Sequence, residues 1–323
     1  MERIFLHDGA FCAQILPYGA TLHSLYVPDR DGTARDVVLG YNNLSDYQRH
    51  DGYLGATVGR NANRIAGVQL VLDSQIWQLT ANEGTNQLHS GFSGLHQKVW
   101  DYNQTAENAV TLHTVSPHGE DGFPGTLEVW VSYTLSGGAL SMDYKAVCDR
   151  DTVVNLTNHA YFNLAGQESG AIDDHVLSVS ADYYTPCGPG TIPTGEVRAV
   201  DGTALDLRSG VVLGRQFGAP ELREYNGYDH NFALNSSDAA QLYCPRSGIC
   251  MAVETTLPGL QVYTAGFLSE RQGKRGSVYN CHHGVCLETQ FWPDAVHHPH
   301  FPSPVLHTGD IYRHKTIYRF SVK

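Results

Sequence analysis

Leu127-Glu-Val-Trp-Val-Ser-Tyr-Thr-Leu-Ser-Gly-Gly-Ala-Leu-Ser-Met-Asp-Tyr-Lys-Ala146 decides the fold class. Leu127, Val129, Val131, Tyr133 and Leu135 form one period-two row, and Leu140, Met142, Tyr144 and Ala146 form another after Gly137-Gly138. Alternation of this kind places one face of a strand in a core. Two glycines between the rows suit a primed turn, whose central residues need positive φ. The stretch reads as a β-hairpin.

The chain on either side repeats the pattern. Phe11 to Val27 alternates loosely around Pro17 and Gly19, which predicts a strand, a bend and a second strand. Val68, Leu70 and Leu72, then Trp77 and Leu79 beyond Asp73-Ser74, predict another hairpin. Short extended runs are expected at Val176 to Val179, Ile249 to Thr255, Gln261 to Tyr263 and Ile317 to Val322. The one helix signal is Ser45, placed to cap a brief turn over Asp46 to His50. Many short strands with frequent turns imply an all-β fold, a large antiparallel β-sandwich. No linker or fixed-period repeat divides the chain, so residues 1–323 are expected to form a single domain.

Composition narrows the function. A net charge of -12 without Lys/Arg clusters argues against nucleic acid or anionic membrane as a partner and favours a neutral, polar small molecule. No run approaches transmembrane length, and the N-terminal residues lack a secretion pattern. The seven cysteines form no compact framework, as expected of reduced thiols in a cytoplasmic protein. Asn155-Leu-Thr157 and Asn235-Ser-Ser237 match the glycosylation sequon and read as incidental there. Nothing in the sequence marks an oligomeric interface.

Candidate chemistry centres on Cys286-Leu-Glu-Thr-Gln-Phe-Trp-Pro-Asp294. Leu287, Thr289 and Phe291 alternate with Glu288 and Gln290, predicting a strand that ends at Pro293. Glu288 then lies among groups that usually sit inside, where an ionised carboxylate is costly unless paired or facing a wet pocket. Trp292 offers a flat apolar surface for a sugar ring; the plainer alternative is an edge-strand Glu facing solvent. Asn155 to Leu164 sets His159 in strand phase with Asn155, Thr157, Tyr161 and Asn163, a polar row resembling a cleft lining. Asp229 beside His230, and the glycine-rich Gly55 to Ile65 carrying Arg60, Asn63 and Arg64, are further candidates. Each alone has a structural alternative: a satisfied histidine, a turn aspartate, a glycine-rich turn with solvated arginines. Cys281-His-His-Gly-Val-Cys286 and His297-His-Pro-His300 match no common zinc spacing, so no metal is expected. The absence of a Gly-x-Ser-x-Gly elbow argues against a serine nucleophile.

Taken together, eight ordered motifs resemble the galactose mutarotase, or aldose 1-epimerase, family: GATVGRNANRIAG from Gly55, Leu88-His89, Asp121 to Gly125, Thr157 to Leu164, Thr194-Gly-Glu196, Gly227 to His230, Pro258 to Thr264 and Cys286 to Asp294. The resemblance implies a β-supersandwich and interconversion of the α and β anomers of a free aldohexose, galactose foremost and glucose also, without a cofactor. By motif position it implies Glu288 as general base and His159 as general acid. Arg64, His89 and Asp229 fall at substrate-binding positions, and Asn63 and Gln261 at positions lining the sugar pocket. Ser90, Ala265-Gly266 and His282-His283 depart from the family's usual Leu-His-Gly-Gly, Thr-Gly-Asn-Phe and His-Ser-Gly, which bears on sugar preference. Two alternatives stay open: a glycoside hydrolase using Glu288 and Asp229 as its carboxyl pair, and a non-catalytic sugar-binding protein.

Overall fold

The protein is described by a computed structural model at residues 1–49 and 52–323. The hairpin expected at Leu127 forms as Leu127–Ser136 and Ala139–Cys148, with Ser136 opposite Ala139. Gly137 and Gly138 turn the chain at φ 58° and 72°, the left-handed values a primed turn requires. The hairpin lies within a nine-stranded sheet ordered Asp101–Ala106, Ala109–Ser116, Leu127–Ser136, Ala139–Cys148, Tyr312–Val322, Ile249–Thr255, Asp238–Tyr243, Val176–Val179 and Val211–Val212. A six-stranded sheet runs Tyr161–Phe162, Val285–Gln290, Gly259–Tyr263, Asp229–Ala233, Tyr183–Thr185 and Arg198–Ala199. Every pairing within these two sheets is antiparallel.

One hydrophobic core joins the sheets. Val129, Val131 and Tyr133 of the larger sheet belong to the same buried cluster as Leu260, Val262, Val285 and Leu287 of the smaller. Across the interface Thr289 Oγ1 meets Thr316 Oγ1 at 2.6 Å, and Tyr318 donates its hydroxyl to the Leu287 carbonyl. A four-stranded sheet, Ile4–Asp8, Phe11–Leu16, Thr21–Pro28 and Ala34–Asp36, contributes Leu6, Ile15 and Leu22 to this core. The fold is the β-sandwich the alternation implied.

Three local expectations change. The Glu288 strand stops at Gln290 rather than running to Pro293, because Phe291 leaves the ladder and gives its N–H to the Asn155 side chain. Asn155 to Leu164 is not one strand. Thr157–Asn158 pairs with Thr57–Val58, whereas Tyr161–Phe162 pairs with the Glu288 strand. Asn158 diverts the backbone between them by accepting the Ala160 N–H, so strand phase does not carry across the motif. The short helix spans Leu44–Gln48 with Asn43 at its N-cap; the Asn43 carbonyl accepts the Asp46 N–H and closes the turn before Ser45 can cap it. His50, the expected end of that turn, lies outside the described residues.

Candidate active site

Strand register builds the floor of the site. Glu288 stands directly opposite Gln261, which stands opposite Asn231. One step along, Tyr161, Cys286, Tyr263 and Asp229 pair in a second row. Directly paired residues share a face. Leu287 and Val262 between the rows point into the core, so Glu288, Gln261, Asp229 and Tyr263 all point to the opposite side. The solvent-facing edge-strand alternative for Glu288 fails: its strand is interior and the residue is 2% exposed.

Two loops close over that face. His159 is pinned by its N–H to the Ala56 carbonyl and its carbonyl to the Gly55 N–H, both 2.9 Å. Gly55 has φ 71°, and a Cβ there would lie 2.1 Å from the Leu22 carbonyl, so only glycine permits this approach. His89 and Asn63 lock each other: His89 N–H donates to the Asn63 carbonyl at 3.1 Å, and Asn63 N–H donates to His89 Nδ1 at 3.2 Å. A neutral imidazole that accepts at Nδ1 carries its proton on Nε2.

The result is a cavity of roughly 410 Å³ lined by Asn63, Arg64, His89, His159, Asp229, Gln261 and Glu288. All seven are candidate site residues by sequence motif. Tyr53, Tyr161, Tyr263, Tyr225 and Phe267 supply the apolar walls. Tyr161 is recognisable in the sequence as a neighbour of His159, Tyr263 at the end of a short run and Phe267 at the end of the Thr264-Ala265-Gly266-Phe267 departure, whereas Tyr53 and Tyr225 carry no such signal. Tyr53 stacks on His159 with centroids 5.7 Å apart and tilts onto His89 at 4.6 Å. Trp292 lies outside the lining. Its indole N–H is spent on the Pro258 carbonyl and its ring packs on Phe301, so it is no sugar platform. Asn155 and Asn163 also turn away, bonding Phe291 and the carbonyls of Gly170 and His283. Arg60, grouped with Asn63 and Arg64 in sequence, is 1% exposed and bonds five groups between Ser116 and Gly125; it is a brace, neither solvated nor in the site.

Electrostatics inside the cavity follow from burial. His159 Nε2 is 3.6 Å from Glu288 Oε1, and Glu288 Oε2 has no hydrogen-bond partner among the described residues. Burial pushes the Glu288 carboxyl well above its usual range; Asp229 adds to the rise and Arg64 opposes it. Burial lowers His159 to about 4. This reverses the order of a free carboxylate and a free imidazole, which at their unperturbed pKa values would divide a proton the other way. Burial, with its neighbours His159, His96 and Arg64, also holds His89 neutral. Asp229 accepts from Gln261 Nε2 at 2.7 Å, and Arg64 grips Glu83 with Nε at 2.6 Å and Nη2 at 2.8 Å.

Ligand-type atoms of His89, His159 and Glu288 lie within 4.8 Å of one another. His89 suits a metal poorly, because its Nδ1 is taken by Asn63 and its Nε2 holds the remaining proton. The second such group, Asp174, His175 and Cys244, has both ring nitrogens of His175 engaged, by Asp174 and by the Leu164 N–H. Cys286 is buried beside His159 and Cys281 is exposed, while His297 bonds Asp294, so among the described residues neither histidine-rich motif gathers a ligand set.

A family model described as aldose 1-epimerase matches residues 2–319. The chain belongs to the aldose 1-epimerase family. It is 46% identical over 330 aligned positions to galactose mutarotase of Bos taurus, covering all of this chain and 94% of that protein. Galactose mutarotase of Homo sapiens is 45% identical with the same coverage, and aldose 1-epimerase of Escherichia coli 35%, over 97% and 93% of the two chains. Among solved structures, a GalM/aldose epimerase homologue from C. elegans superposes with TM-score 0.93 at 31% identity, over 99% of each chain. Galactose 1-epimerase from Lactobacillus acidophilus superposes at 0.87 and 29%, over 98% and 93%. The epimerase fold is thus the sandwich described above, and the chain is an isomerase of that family acting on a monosaccharide.

Proposed function

We propose that this protein interconverts the α and β anomers of free galactose, and of glucose, with Glu288 and His159 as its acid/base pair and without a cofactor. The observation that carries this reading is the 3.6 Å approach of His159 Nε2 to Glu288 Oε1 on the floor of a cavity otherwise furnished with neutral-sugar hydrogen-bonding groups. Mutarotation removes the proton of the anomeric hydroxyl and delivers one to the ring oxygen, breaking the C1–O5 bond to give the aldehyde. Rotation about C1–C2 and the reverse transfers close the other anomer. Each transfer gains about 10²- to 10⁴-fold from a positioned group.

The pKa reversal supports the pair. Between the acid limb of His159 and the alkaline limb of Glu288 the two residues hold one proton between them. A carboxylate with an imidazolium is a tautomer of that state, stabilised by the short separation. Ring opening takes the anomeric proton onto Glu288 and gives the His159 proton to O5, leaving both uncharged. Burial favours that outcome, so the open-chain stage is not uphill on the protein's side. His89 Nε2–H and Arg64 donate to oxygens that gain charge, and such preorganised donors are worth several kcal/mol. Asp229, held by Gln261, accepts from ring hydroxyls, and Asn63 lines the pocket beside them.

The test is polarimetry on freshly dissolved α-D-galactose: faster approach to the equilibrium rotation is expected, with no added metal or nucleotide. Release of a reducing end from a glycoside at a comparable rate would favour the two-carboxylate hydrolase instead. The seven cysteines, all unpaired, support a reducing, cytoplasmic location. No helix among the described residues is long and apolar enough to cross a membrane. The charge of -12 supports the absence of a nucleic-acid partner, and the absence of a linker supports one domain over 1–323.

A further inference from the structure

Arg64 sits where a cation would interfere with the chemistry assigned above. It lines the same cavity as Glu288, and a positive charge there pulls the carboxyl toward ionisation, weakening it as a base. Yet its donors face the cavity in which sugar oxygens are to be bound. Glu83 resolves the conflict. Its two carboxylate oxygens take Arg64 Nε at 2.6 Å and Nη2 at 2.8 Å in a forked, charge-assisted pair. Arg64 Nη1 has no partner among the described residues.

Glu83 is held for this task by the loop that carries it. The Glu83 and Asn86 backbones bond each other in both directions, and Asn82 fastens the loop by accepting the Leu88 N–H and donating to the Leu88 carbonyl. The next residue, His89, is the donor locked to Asn63. One loop therefore orients both donors. Among the described residues the Glu83 side chain bonds only Arg64, and it is 37% exposed, so no core packing requires its charge.

We propose that Glu83 is a positioning residue for the epimerase reaction, neutralising Arg64 so that this arginine orients the sugar through hydrogen bonds without stripping the proton from the Glu288/His159 pair. The inference rests on the acid/base assignment above. Of the other charged groups in the cavity, Asp229 raises Glu288 against the pull of Arg64, and Glu224 also lines the wall. Asp229 comes from the strand beyond Gln261; Cys286, Tyr161 and Tyr263 on the cavity side, and Tyr318 on the core side, are pushed further from ionisation by burial. Tyr53 is raised to about 12, and His89 is held neutral by burial. Arg64 is the cation whose effective charge the protein can set, and Glu83 sets it.

The experiment is the pH dependence of kcat/KM for α-D-galactose in the parent, Glu83→Gln, Arg64→Gln and the double variant, with thermal melts of each. Glu83→Gln is expected to melt with the parent, raise KM, and move the alkaline limb down by about one pH unit, the lower end of what a charge neighbouring a carboxyl produces. In the Arg64→Gln background the same change should move the limb no further, and Glu83→Asp should restore part of the parental profile. A Glu83→Gln profile that superimposes on the parent's, or a shift of equal size without Arg64, overturns the proposal. Full activity of Glu288→Gln would sink the acid/base assignment itself; an inactive Glu288→Gln beside an unshifted Glu83→Gln sinks only the role of Glu83.

Discussion

Glu288 and Asp229 share one cavity and one sheet face but sit in different surroundings. Among the described residues Glu288 has an oxygen without a hydrogen-bond partner and no arginine of its own, since the Arg64 fork is closed on Glu83. Glu288→Gln keeps the shape and cannot take the anomeric proton, so kcat is expected to fall by about 10²-fold or more. A carboxyl held high by burial contributes stability that is fully present below its unfolded value and lost as pH rises through its folded value. The variant escapes that loss and should melt at or above the parental temperature at alkaline pH. Polarimetry and melting on one sample check both parts, and a variant that interconverts anomers at the parental rate removes Glu288 from the mechanism. Asp229 is anchored by Gln261 at 2.7 Å and is expected to hold ring hydroxyls. Asp229→Asn should cost about 1.5 to 3 kcal/mol of sugar affinity, roughly 10- to 150-fold in KM, with a smaller change in kcat. A collapse of kcat at constant KM would instead favour the two-carboxylate hydrolase. The residue types of this site were legible in sequence because acid/base and sugar chemistry need few kinds of side chain. Their ionisation was not, since it depends on burial that no local pattern reports.

Elements in the chain differ in how openly they declare themselves. Val176–Val179 and Ile249–Thr255 lie where alternation placed them, because one face is buried and the other is wetter. Tyr312–Val322 runs five residues ahead of its expected start at Ile317, its first half masked by Arg313, His314 and Lys315 at exposed or half-exposed positions. The segment around His159 misled because two-residue strands in different sheets carry no period. The Tyr53 and Phe267 walls come from loops, where aromatic placement is set by distant contacts; Phe267 is 63% exposed at the rim. The family departures have local causes. Ser90 Oγ accepts the Asn61 N–H at 2.7 Å and donates to the Asn61 carbonyl at 3.2 Å. A Cβ on Gly266 would come within 2.4 Å of the Tyr225 carbonyl, so the usual asparagine does not fit there. His282 Nε2 donates to the Asn226 carbonyl at 2.6 Å, tying down the loop beside Tyr225. Arg60 ties the Ser116 to Gly125 segment to the glycine-rich loop that carries Asn63 and Arg64. Its guanidinium satisfies the carbonyls of Ser116, Pro117, Pro124 and Gly125 in a dry setting. Each buried carbonyl left unpaired costs about 1 to 3 kcal/mol, so Arg60→Met should lose about 3 kcal/mol or more of stability. Denaturant titration measures that loss, and kcat per folded molecule should stay near the parent's. A stable but inactive variant would place Arg60 in the chemistry.

At the scale of the whole molecule the sandwich was readable from short alternating runs, whereas which strands become neighbours was not. The Glu288 strand pairs with Gly259–Tyr263 and with Tyr161–Phe162 across long separations that local pattern does not encode. That long-range assembly also sets how the protein answers pH. His159 and His230 are lowered by burial to about 4, and His89 is lowered well below its ordinary value. The unfolded chain protonates these rings near 6.5 while the folded chain resists, so the unfolded state binds more protons as pH falls. Their contribution is intact above about 6.5 and is lost progressively down to the folded values, at about 1.4 kcal/mol per pH unit for each ring. Activity and stability should therefore part company on the acid side. The melting temperature is expected to decline from pH 6.5 downward, while kcat/KM of the surviving folded enzyme holds until about pH 4, where His159 takes a second proton into the pair. Saturating galactose should raise the melting temperature throughout by mass action. Thermal melts and initial-rate polarimetry across pH 4 to 9 measure the two curves together. If kcat/KM instead fell through an ordinary histidine value while the melting temperature stayed level, His159 would have to be solvated rather than buried, and the acid/base pair would need another partner for Glu288.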